Sequence, residues 1–371
     1  MKPLLSRLLL PIYVGAETPT ATLDSGPIFG LTTTLPAASP VNKFLGIPFA
    51  AKPQRFSRAT KPEPWTRPLN ATRFGSSCRQ LFVQSELTPE IDLLKGLFNT
   101  ASGESEDCLF INAFAPADPH PSRAVLLFIS GGGWQQGNGE IDLSGFAAYE
   151  DIVVFTFNYR TNVFGFPNSP DIPASETNLG IYDQELALEW VQRNARAFGG
   201  DPDKVTIWGE SAHLTRDILR LKDFDTAAAI YTDFVWQCPQ AILANISASI
   251  NPTWRFYFNA SVPSLLDDKY SWLGKFHGSD VLLLFSSPTF DAMPPQLYTF
   301  VEYFRGVVGR FVRNPQAGPG WPVGSRYVAN LGDVGQTQTS GPSIIDQMAL
   351  DQRCSLYESI YPLIEEYVLS V

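Results

Sequence analysis

The sequence predicts an α/β fold with a central, mostly parallel sheet flanked by helices. Three observations carry that expectation. Residues 123–130 and 151–160 are apolar on both faces, the pattern of strands buried inside a sheet. Between residues 178 and 198, Leu186, Leu188, Trp190, Val191 and Ala195 lie at helical spacing, and Gly199-Gly200 closes the helix. Residues 205–208 then supply one more strand. Strand, loop, strand, helix, strand is the alternation from which α/β sheets are built.

Size and composition are compatible with that fold and exclude other classes. A chain of 371 residues buries a sizeable core, and the even run of elements favours one domain over two. With 44% hydrophobic and 17% charged residues the composition is that of a globular protein, and 8 Trp, 13 Tyr and 26 Phe suit an aromatic interior or cleft. A formal net charge of −10 argues against nucleic acid and anionic membrane surfaces as partners, because both would be repelled.

In chain order, residues 1–16 read as a signal peptide. Lys2 and Arg7 flank an apolar run that ends in the small residues of Val14-Gly-Ala, a cleavage pattern; the competing reading is a frayed cytosolic terminus. No other run approaches the ~20 apolar residues of a membrane helix, so no transmembrane segment is expected. Residues 17–371 are then the single domain. Residues 41–50 form a short strand stopped by Pro48, residues 53–56 and Trp65 are loop, and Ser105-Glu-Asp-Cys-Leu-Phe-Ile-Asn is a turn entering a strand. Asn70, Asn245 and Asn259 each open a glycosylation sequon, which matters in a secretory chain. Cys78, Cys108, Cys238 and Cys354 make an even set that a secreted setting lets pair, with three connectivities open.

Two loops suggest chemistry. The buried strand at 123–130 runs into Gly131-Gly-Gly-Trp, a loop whose backbone amides can approach a ligand because no side chains intervene; Trp134 reads equally as core or as pocket wall. The strand at 205–208 runs into Gly209-Glu-Ser-Ala-His, which nearly completes the Gly-x-Ser-x-Gly nucleophile elbow, with His213 in place of the second glycine.

Together with Phe44-Leu-Gly-Ile-Pro-Phe-Ala, Ser105-Glu-Asp-Cys-Leu, Asn158-Tyr-Arg, Asn178-Leu-Gly-Ile-Tyr-Asp-Gln and Phe198-Gly-Gly-Asp-Pro, these runs resemble the type-B carboxylesterase, lipase and cholinesterase family of α/β-hydrolases. The resemblance resumes at Tyr231-Thr-Asp-Phe-Val-Trp-Gln-Cys-Pro, Trp254-Arg-Phe-Tyr-Phe-Asn-Ala-Ser and Phe276-His-Gly-Ser-Asp and continues to Cys354. It implies a serine esterase with Ser211 as nucleophile, His277 as base and the amides of Gly132, Gly133 and Ala212 as oxyanion donors, although Ser130 stands where the related HGGG-type loop has His. A serine hydroxyl is a weak nucleophile until a neutral imidazole takes its proton, and each oxyanion amide is worth ~2.7 to 4 kcal/mol. The resemblance further implies no metal or cofactor, a small-molecule or lipid ester as substrate, Cys78–Cys108 and Cys238–Cys354 bridges, and a structural Arg55–Glu106 ion pair. Glu210 reads as a structural carboxylate.

The resemblance lapses after the elbow. In the family, several times more chain separates nucleophile from histidine than the stretch from Ser211 to His277. The missing part, between Ala212 and about Thr226, should hold the helix behind the elbow, at least one core strand and the acidic triad member, so the fold is expected to be incomplete in its second half. Asp217, Asp223, Asp225 and Asp233 are nearby acids, but none matches the family's acid position, and residues 214–223 read as an amphipathic surface helix. His213 is expected to strain the elbow. The expected function is secreted carboxylic ester hydrolysis, impaired by the missing acid; the alternatives are an inactive binding or adhesion protein and a non-functional truncated product.

Overall fold

The computed structural model describes residues 18–35, 38–82, 102–118, 120–167, 169, 171–173, 176–209, 232–260, 278–285, 295–332, 342–357 and 360–361. Three short strands, β1 (Thr20–Thr22), β2 (Pro27–Phe29) and β3 (Leu31–Thr33), precede β4 (Val41–Pro48). The two-residue strands β5 (Leu69–Asn70), β6 (Ser77–Cys78) and β7 (Glu104–Ser105) lead to β8 (Phe110–Pro116) and β9 (Arg123–Ile129). Helix α1 (Ser144–Glu150) crosses to β10 (Val153–Phe157), and α2 (Leu179–Asn194) crosses to β11 (Gly200–Gly209). The second half contributes α3 (Cys238–Ala248), β12 (Arg255–Phe258), α4 (Ser279–Phe285), the long α5 (Pro295–Arg313), β13 (Tyr327–Leu331) and β14 (Ser343–Asp346).

The main sheet has the order β11-β9-β10-β8-β4-β3. Its strands are apolar on both faces because both faces are covered. Val125, Leu127, Val153 and Phe155 point into a core with Trp190 and Phe198, on the side of α2. Leu126, Phe128 and Val154 point into a second core with Phe146 of α1 and Phe300 and Phe304 of α5. Helices on opposite faces make the α/β architecture expected from the alternation.

Among the described residues the sheet is mixed. β10, β9 and β11 run parallel, whereas β10–β8, β8–β4 and β4–β3 are antiparallel. Parallel neighbours need a crossover, which α1 and α2 provide. The helix predicted over 178–198 is present as α2 followed by a 3₁₀ turn at Ala195–Phe198, with Gly199 at φ 81° closing it.

Among the described residues, β11 is an edge: it pairs with β9 and with no other strand. Ile207 is 51% exposed and Gly209 is exposed at the strand end. A separate sheet, β12-β13-β14, lies beyond it in the chain. The two sheets share one apolar core through α5, whose Leu297, Phe300, Val301, Phe304, Val307 and Val312 are all buried. That helix was not assigned from the sequence.

The implied disulfides are both present, with Cα–Cα distances of 4.8 Å for Cys78–Cys108 and 5.2 Å for Cys238–Cys354. So is the Arg55–Glu106 pair, in which Nε and Nη2 of Arg55 donate to the two carboxylate oxygens and the Arg55 hydrogen bond holds the Glu106 carboxyl below its ordinary range. The buried counterpart is Arg160–Asp183. Arg160 Nε and Nη2 donate to Asp183 at 2.7 Å each, and the Asp183 side chain is fully buried. Asp183→Asn should cost about 3–5 kcal/mol in denaturant unfolding, because it leaves the guanidinium buried and unpaired; a loss below about 1 kcal/mol would contradict that role.

Candidate active site

The described part of the candidate site lies at the carboxyl ends of β9, β10 and β11. β9 and β11 pair in parallel with Leu127 opposite Ile207, Phe128 opposite Trp208 and Ile129 opposite Gly209. β9 therefore releases Ser130 and the glycine loop at the level where β11 ends, two residues before Ser211. β10 lies on the other side of β9 and releases Asn158-Tyr159-Arg160 at the same end. In open α/β sheets ligands bind at this end.

Each strand holds part of the loop. The Tyr159 hydroxyl, buried, donates to the Ser130 carbonyl at 2.8 Å, which anchors the loop base. Gly132 turns the chain at φ 123°, and its carbonyl accepts from the amides of Gln135 and Gln136 at 3.1 and 3.0 Å. A Cβ at Gly132 would stand 2.2 Å from the Gln136 carbonyl oxygen, so only glycine fits. The loop is tied outward as well. The Gly137 amide donates to Gln80 Oε1 at 2.7 Å, the Leu81 amide to the Gln135 carbonyl at 2.8 Å, and the Asn162 amide to the Trp134 carbonyl at 2.6 Å. Asn162 Nδ2 in turn donates to the Arg79 carbonyl at 2.6 Å, so the loop is braced on the segment just after Cys78.

Gly132 and Gly133 are half-buried, and among the described residues their amides donate no hydrogen bond. Two adjacent unpaired amides on a braced loop are what an oxyanion site needs, since the donors are fixed before charge develops. Trp134, at φ 60°, is half-buried with its ring edge-on to Phe166 at 5.0 Å and Tyr159 at 6.2 Å. Ser130 is 3% exposed, and its hydroxyl has no partner among the described residues.

The other predicted residues divide. Glu210, Ser211, Ala212, His213, Asp217, Asp223, Asp225 and His277, together with the helix expected over 214–223, lie outside the described residues. Asp233 is described, buried and engaged elsewhere: Arg353 donates to it through Nε and Nη2 at 2.5 and 2.8 Å. Asn70 and Asn245 are exposed, and Asn259 is half-buried at the end of β12. Tyr159 was not foreseen as the loop anchor, although it sits inside the Asn158-Tyr-Arg run that carried part of the resemblance.

Comparison with known proteins decides the family. The model of the carboxylesterase family matches residues 17–213, just over half of the chain. The chain belongs to the carboxylesterase family. It is 40% identical over 199 residues to acetylcholinesterase of Danio rerio, covering 50% of this chain and 30% of that protein. It is 41% identical over 179 residues to para-nitrobenzyl esterase of Bacillus subtilis (strain 168), covering 46% and 35%. With carboxylesterase 5A of Mus musculus it shares 38% identity over 229 residues, covering 59% and 38%. The chain thus spans about a third of the length of these curated relatives. A solved PNB esterase structure superposes with a TM-score of 0.73 at 19% identity, covering 90% of this chain and 99% of that one, which shows the α/β-hydrolase fold.

If the loop is the oxyanion site, Gly132→Ala should lower the rate of p-nitrophenyl acetate hydrolysis by on the order of 10²-fold, because the loop must open to relieve the clash. An unchanged rate in a folded variant would exclude it.

Proposed function

We propose that this chain is a carboxylic ester hydrolase working through an acyl-enzyme on Ser211. The observation that carries the proposal is the parallel β9–β11 register, with Ile129 opposite Gly209. Chain geometry limits Ser211 Cα to about 7.6 Å from Gly209 Cα, two peptide units away, so the serine and the unpaired Gly132 and Gly133 amides belong to one end of the sheet. In this reading His277 takes the Ser211 proton as the hydroxyl attacks the ester carbonyl. The amides of Gly132, Gly133 and Ala212 receive the oxyanion, and His277 returns the proton to the leaving alcohol. Water then hydrolyses the acyl-enzyme by the same route. The substrate is a small-molecule or lipid ester, and the chemistry asks for no metal or cofactor.

The same reading makes the enzyme weak. The family match stops at residue 213, and β11 is a sheet edge with Ile207 half-exposed. Both fit a segment lost between Ala212 and about Thr226, with the triad acid in it; Asp233 is taken by Arg353. A histidine without its carboxylate loses on the order of 10⁴ in rate while residual catalysis persists. Residues 17–371 are taken as one domain, supported by the core that both sheets share. Secretion behind a 1–16 leader, with sugar at the exposed Asn70 and Asn245, suits a chain with two disulfides. No helix among the described residues is long and apolar enough to cross a membrane.

The experiment is hydrolysis of p-nitrophenyl acetate by the full chain beside its Ser211→Ala variant. Slow turnover lost in the variant is expected. Equal rates in two cooperatively folded proteins would defeat the proposal and leave the non-catalytic binding role.

A further inference from the structure

We propose that Gln80 is a positioning residue of the oxyanion loop, acting through the Gly137 amide to fix the direction of the Gly132 N–H. This role rests on the esterase reading of Ser211 and belongs to a side chain outside the loop itself.

The path begins where the loop closes. Residues 131–137 follow β9 and turn back, so that Gly137 lies against Gly131, and both are buried. A Cβ at Gly137, where φ is 114°, would stand 2.0 Å from the Gly131 carbonyl oxygen. That oxygen and the Gly132 N–H belong to one planar peptide unit, and in a trans peptide the two point opposite ways. Gly137 therefore backs the carbonyl, and the Gly132 N–H is turned to the other side. If Gly137 shifts, that plane is free to rotate and the donor turns with it.

Gln80 holds Gly137 in place. The Gly137 amide donates to Gln80 Oε1 at 2.7 Å, across 57 positions of chain. Such an acceptor fixes its donor only if its own segment is fixed, and residues 78–81 are. Cys78 is bridged to Cys108, and the Gln80 amide donates to Glu104 Oε2 at 3.2 Å. The Arg79 carbonyl accepts from Thr161 Oγ1 at 3.0 Å and from Asn162 Nδ2 at 2.6 Å, on the segment that follows β10. The Leu81 amide donates to the Gln135 carbonyl at 2.8 Å. The bond to Gly137 is made by the Gln80 side chain, whereas those of Arg79 and Leu81 are made by backbone. Substitution at Gln80 thus removes one contact and leaves the rest of the brace standing.

The kinetic consequence follows from the two-step chemistry. Acylation and deacylation both pass through an oxyanion that the Gly132 N–H would receive. A misdirected donor slows both steps together, which lowers kcat and leaves KM nearly where it was.

The test compares the full chain with Gln80→Met, of similar length but without an acceptor, and with Gln80→Glu, which keeps an acceptor oxygen at the same reach. Hydrolysis of p-nitrophenyl acetate and amide exchange at residues 131–137 are both measured. In Gln80→Met, exchange at Gly137 should quicken at least about tenfold, and kcat per folded molecule should fall at least about tenfold with KM within about twofold. Gln80→Glu should restore slow exchange and bring kcat nearer the parent than Gln80→Met does. Fast exchange with unchanged kcat, in a chain whose turnover Ser211→Ala abolishes, would overturn the positioning role. Unchanged exchange at Gly137, or equal losses in both variants, would overturn it as well. A folded parent without Ser211-dependent turnover would overturn the esterase reading, and this role with it.

Discussion

The parallel pairing of β9 with β11 is the constraint on which the rest of the molecule depends. It brings two loops distant in sequence to one level, because strands in parallel register release their outgoing loops at the same end of the sheet. It also ties the two cores together, since Val205 of β11 packs toward Trp190 and Trp208 toward Phe146. Around it, Tyr159 fixes the base of the glycine loop and Arg160 fixes Asp183 on α2. The polar network at this end of the sheet is therefore structural support for a loop in which the Gly132 and Gly133 amides have no partner among the described residues.

In a doubly covered sheet the strand that carries the nucleophile belongs inside, with neighbours on both edges. Among the described residues β11 has a neighbour on one edge only, and a separate sheet, β12-β13-β14, shares the α5 core. In the proposed reading the glycine loop of the first half serves as the oxyanion site, and the elements expected beyond the elbow are the ones the shortened segment lacks.

Much of this was legible in the sequence where the signal is local. Residues 123–129 and 153–157 read as buried strands because all their positions but Arg123 and Thr156 are apolar, and they are. The glycine loop was legible because three glycines directly after such a strand have few other uses. Strand direction was not legible: nothing in the local sequence marks β3, β4 and β8 as the antiparallel members of the described sheet. The Tyr159 bond to Ser130 and the Asp233–Arg353 pair join residues far apart in the chain and leave no local trace. The disulfide partners came only from family resemblance, as spacing left three connectivities. Helix α5 did leave a trace in Leu297, Phe300, Val301 and Phe304, whose spacing is helical, but its packing against both sheets joins residues far apart in the chain.

The most direct test of the account is covalent. A fluorophosphonate esterifies a serine only where an activated hydroxyl and an oxyanion site stand together, whatever the rate of later turnover. The full chain, incubated with such a probe and mapped by peptide mass spectrometry, should gain one phosphonyl group at Ser211, slowly and to completion. Gly132→Ala should suppress the labelling. A folded protein that stays unlabelled, or that labels at another residue, would contradict the assembly of this site at the end of β9 and β11.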